Sequence, residues 1–110
     1  MSIGIIKKAT LASADRGKSG LTITFNTAEK LTLNSYVKIT YLEKERMFKV
    51  VTVETEDALR VNAIAREAGY WATKLSEDSN FDLKEILGLG VVLITEPNEI
   101  AEIQKREGYC

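Results

Sequence analysis

Histidine is absent from the sequence, and cysteine and proline occur once each, as Cys110 and Pro97. Without an imidazole there is no Ser-His or Cys-His nucleophile pair, no acid/base group poised near neutrality and no histidine-ligated metal. One cysteine makes neither an internal disulfide framework nor a zinc cluster, and its scarcity points to a reducing, cytoplasmic compartment. No Asp-x-Asp-x-Asp-Gly type loop occurs to hold calcium or magnesium, and no pair of carboxylates has a spacing that singles it out for acid/base work. The apolar run Gly88 to Ile94 is far short of the roughly 20 residues that span a bilayer, and Lys7 and Lys8 interrupt the N-terminal apolar stretch before it could act as a secretory leader. The expectation is a non-enzymatic protein with no cofactor, no metal and no membrane association.

What is present fits one domain. The 110 residues are 45% apolar, enough to fill a single core. The net charge of −1 hides a division: residues 1–50 hold nine basic and four acidic side chains, the remainder six and twelve, giving +5 and −6. Such a split marks a basic binding face or two parts that attract one another.

Alternation of apolar and polar residues predicts strands through the first two thirds of the chain. Ile3, Ile5, Ala9 and Leu11 share one parity; Leu21, Ile23 and Phe25 alternate with threonines; Val37, Ile39 and Tyr41 alternate with Tyr36, Lys38 and Thr40. A strand from Met47 to Val53 follows the charged turn Glu43-Lys44-Glu45-Arg46, and after Glu56-Asp57 another covers Leu59 to Ala63. Between Val61 and Leu75 strand and helix periods compete, so the ten residues after Ala63 stay open. Asp82 to Leu87, stopped by Gly88, reads as a short helix, Gly90 to Thr95 as a buried strand, and Pro97 onward as a helix capped by Thr95 or Glu96, with Ile100 and Ile103 inward. These elements predict an α+β domain: a small antiparallel barrel or strongly curved sheet of five to six strands, with a short helix and a C-terminal helix. The strand rhythm of Asn34 to Val61 resembles that of small SH3-like and oligonucleotide-binding barrels, a resemblance that implies a barrel and leaves the function to the site.

Three stretches are candidates for function. Ala12, four residues, then Gly17-Lys18-Ser19 approaches the phosphate-binding loop of nucleotide hydrolases. That loop needs a helix after it, whose N-terminal amides hold the phosphates, whereas Gly20 to Phe25 has a strand pattern, so hydrolysis is not expected. Arg16 and Lys18 remain able to contact a phosphate without cleaving it. Lys7, Lys8, Tyr36, Lys38, Tyr41 and Lys49 interleave cations with aromatic rings on strands, the composition that holds single-stranded nucleic acid. Parity puts Tyr36 and Lys38 on the outside and Tyr41 in the core. Arg66 to Ala72 contains Tyr70 and Trp71, which suit a core, the lining of a ligand pocket beside Arg66, or a protein interface in which the acidic helix face with Glu99 and Glu102 takes part. The leading expectation is a binder of single-stranded nucleic acid or a nucleotide through Lys7, Lys8, Arg16, Lys18, Tyr36 and Lys38. The alternative is a protein-interaction module or homo-oligomer built on Tyr70, Trp71, Glu99 and Glu102.

Overall fold

The computed structural model describes residues 2–12, 20–67 and 83–107, arranged as β1 (Ser2–Ala12), β2 (Gly20–Thr27), β3 (Tyr36–Tyr41), β4 (Lys44–Thr55), β5 (Val61–Glu67), α1 (Leu83–Ile86), β6 (Gly90–Leu93) and α2 (Pro97–Glu107). The strands close in the order β1-β2-β5-β4-β3-β6, each neighbouring pair antiparallel. The fold is thus a closed six-stranded antiparallel β-barrel with two short helices, one of them C-terminal. Closure pairs the strand edges that an open sheet would leave free.

The interior follows from alternation. Leu21, Ile23, Phe25 and Thr27 of β2 are fully buried, as are Val37 of β3, Phe48 and Val50 of β4, and Ala63 and Ala65 of β5. Small residues sit opposite large ones: Ala63 pairs with Phe25 and Ala65 with Val50, which leaves room for the rings. Each larger apolar side chain so buried contributes about 1.5–3 kcal/mol. Among the described residues β6 pairs only its four positions, and the wall beyond it is continued by hydrogen bonds from Ile6 N to Leu89 O and from Gly88 N to Ile6 O. Gly88 takes a φ of 88°, which a side chain would oppose, and so ends α1 while keeping the fully buried Ile86 in the core. The Tyr41 hydroxyl, donating to Glu85, ties α1 to β3.

α2 lies outside the barrel. Glu96 caps it by accepting from Asn98 N, Pro97 occupies its first turn, and Ile103 packs with Tyr36, Met47 and Ile94 in a second apolar cluster. Among the described residues no helix is long and apolar enough to cross a membrane.

Several local expectations change. The β3–β4 hairpin turns at Leu42-Glu43, not across Glu43 to Arg46, and both turn residues have positive φ, 52° and 63°. A two-residue turn needs that twist, and it frees Lys44 to Arg46 to join β4, where Arg46 points inside and meets Glu67 at 3.1 Å. The strand placed at Leu59 to Ala63 begins at Val61 and runs to Glu67, because β2 and β4 flank it on both sides and hold it extended against any helical preference. The strand expected from Gly90 to Thr95 ends at Leu93; Ile94 N still donates to Tyr36 O, and its side chain, on the outer parity, packs in the cluster under α2. Parity fails in β1: Ile6 is buried while Ile5 is 57% exposed.

Candidate functional site

A bulge in β1 causes that failure and builds the site. Ile6 pairs with Phe25 and Lys8 with the next residue back, Thr24, so Lys7 is an extra residue in the ladder. Ile6 faces in, Ala9 packs on the core, and both Lys7 and Lys8 between them are exposed. Regular alternation would have set the two lysines on opposite faces; the bulge delivers both to the outside. A second bulge does the same in β4, where Val51 is extra between Val50 and Thr52.

The strand register extends this outer surface across four strands. One row runs Lys8, Thr24, Ile64, Thr52; the next runs Thr10, Thr22, Arg66, Lys49, and reaches Tyr36 on β3. Neighbouring strands stand about 4.8 Å apart, so Lys8 lies on one continuous face with the directly paired Arg66 and Lys49, threonines of β1 and β2 standing between. Lys8 and Arg66 form no ion pair with any other described residue. Lys49 stacks its ammonium 6.0 Å from the centre of the Tyr36 ring.

Below this face the polar side chains are linked. Lys7 Nζ donates to Asn62 Oδ1 at 3.1 Å, Asn26 Nδ2 donates to the same oxygen at 3.1 Å and also to the Glu56 carboxylate, and Arg60 Nη1 donates to Asn26 Oδ1 at 2.7 Å. Asp57 Oδ1 accepts from the amides of Leu59 and Arg60 and fixes the turn that carries Arg60.

Where this surface reaches β3 the sequence-predicted pair is occupied. Tyr36 and Lys38 do point away from the core, as parity requires, but α2 covers that face: Tyr36 is only 5% exposed, and Lys38 Nζ lies 3.0 Å from both Glu45 and Glu99. The hydrogen bond to Glu45, followed by that to Glu99, raises the Lys38 pKa above the usual lysine value of 10.5. Glu99 thus faces the barrel, whereas Glu102 is exposed on α2. Tyr41 is in the core. Arg16, Lys18, Tyr70 and Trp71 lie outside the described residues; the segment after Ser19 is strand β2.

Arg60, Asn26, Asn62 and Glu56 were not singled out as ligands by sequence, and Arg66 only within the Arg66 to Ala72 stretch. Asn26 and Asn62, each one residue inside the end of its strand, carried a signal, because Asn is disfavoured in strands. Among the described residues no three Asp, Glu or Cys side chains converge to hold a metal ion. Comparisons with known protein families, with curated proteins and with solved structures give no match to this chain.

Proposed function

We propose that the protein is a non-catalytic binder of single-stranded nucleic acid, which it engages through the outer face of β1, β2, β5 and β4. The observation that carries this reading is the Lys7 bulge, which sets Lys7 and Lys8 on the same surface as Arg66 and Lys49. Lysine and arginine neutralise phosphates, and the interspersed Thr10, Thr22, Thr24 and Thr52 supply hydroxyl donors for phosphate oxygens. Every aromatic side chain among the described residues is buried, so these residues engage the phosphate backbone and do not stack on bases. Glu54 pairs with Asn62 and Glu56 lines the groove beside Asn26, at one margin of this face.

The test is a titration of a fluorescent single-stranded oligonucleotide at stepped salt concentrations. Affinity is expected to fall linearly on logarithmic axes as salt rises, and Lys8→Glu with Arg66→Glu is expected to weaken binding and flatten the slope by about 2. No binding at low salt, or binding that the two reversals leave unchanged, contradicts the proposal.

A further inference from the structure

An open groove of about 640 Å³ lies between the start of β1 and the β4–β5 turn, lined by Gly4, Ile5, Lys7, Asn26, Glu56 and Arg60 together with Ser2 and Ile3. Two cations converge on it. Each is held by a carboxamide oxygen, Arg60 by Asn26 and Lys7 by Asn62, and neither is paired with a carboxylate among the described residues. A carboxamide orients a cation without cancelling its charge. The guanidinium has five N–H donors and the ammonium three, and each spends one on its carboxamide. The remaining donors match an oxygen-rich anion, with the planar fork of Arg60 taking two oxygens and Lys7 a third. The site is pre-organised: Asp57 fixes the backbone of Arg60, and Gly4 lets β1 approach β2 so closely that a side chain there would sit 2.3 Å from the Asn26 carbonyl oxygen. Glu56 is the opposing charge, drawn aside by its hydrogen bond from Asn26 Nδ2.

We infer that this groove seats a phosphate monoester, the doubly charged end of a nucleic acid strand or of a nucleotide, whose two charges answer Lys7 and Arg60. The inference rests on the nucleic-acid reading of the adjoining face, with which it shares Lys7. It adds recognition of a strand terminus to contacts that would otherwise be uniform along the backbone.

The experiment compares four probes by anisotropy or competition: one oligonucleotide with a 5′ phosphate, with a 3′ phosphate and with neither, and a nucleoside monophosphate. The protein is expected to prefer one phosphorylated form over the unphosphorylated strand by about tenfold, the factor that one charge-assisted hydrogen bond supplies. Arg60→Gln should remove the preference while leaving affinity for the unphosphorylated strand near its original value. Glu56→Gln should widen the preference, a gain that damage to the fold cannot produce. Equal affinity for all three strands overturns the groove site and leaves the face standing. Binding of the nucleoside monophosphate, lost in Arg60→Gln, without any binding of strands supports the groove and overturns the face. Failure to bind any probe overturns both.

Discussion

Arg46 and Glu67 meet inside the barrel with side chains 6% and 0% exposed, a placement that two charged residues tolerate only as partners. Removing one takes the opposite charge from a buried group, so Arg46→Met or Glu67→Leu alone is expected to destabilise by about 3–5 kcal/mol, whereas the double variant should recover much of the loss. Urea unfolding of the four proteins measures this; additive losses in the double variant would show that the pair is not a unit. Lys38 makes a different contribution, bridging Glu45 on β4 and Glu99 on α2 at 3.0 Å each. Its pKa is raised on folding, chiefly by Glu45, so its stabilisation is complete below the unfolded lysine value and is lost as pH climbs through the higher folded value. The stability difference between the native protein and Lys38→Met should therefore be constant through neutral pH and shrink above about pH 10. A difference that instead grows with alkalinity would refute the bridging role. Neither partnership was legible in the sequence. Arg46 sits in a charged run that reads as a solvated turn, and its partner is 21 residues away, beyond the reach of any local period.

At the scale of elements, β2 and β3 could be read because their alternation is unbroken, and α2 because Pro97, Ile100 and Ile103 mark its start and inner face. β1 could not. Its parity is reset by an extra residue that only the pairing with β2 reveals, so an apolar series that includes Ile5 conceals the buried Ile6. The bulge makes a sharp contrast testable: Ile6→Ala should cost about 2–5 kcal/mol, and Ile5→Ala no more than about 0.5 kcal/mol. Thermal or urea unfolding of both variants decides it, and equal losses would mean that β1 is a regular strand. The docking of α2 over Tyr36 was equally hidden, since parity tells which residues leave the core and not what covers them afterwards.

Across the whole molecule the division of charge has two outcomes. Lys38 with Glu99 and Arg46 with Glu67 each join a cation from residues 1–50 to a carboxylate from the remainder, so part of the division is neutralised within the chain. Lys8 and Arg66 are not drawn into those pairs and define the outer face of β1, β2, β5 and β4, which ends at β3, where α2 packs on Tyr36. The candidate site was legible in part: Lys7 and Lys8 were singled out, while Arg66, which completes the face, and the carboxamides with Arg60, which line the adjoining groove, come from parts of the chain that barrel closure brings together. The most direct test of this account is the pattern of backbone amide shifts when a single-stranded oligonucleotide is added to isotope-labelled protein. The account predicts salt-sensitive changes clustered at Lys7, Lys8, Thr24, Lys49 and Arg66, with α2 unaffected. Changes confined to α2, or none at low salt, would contradict it.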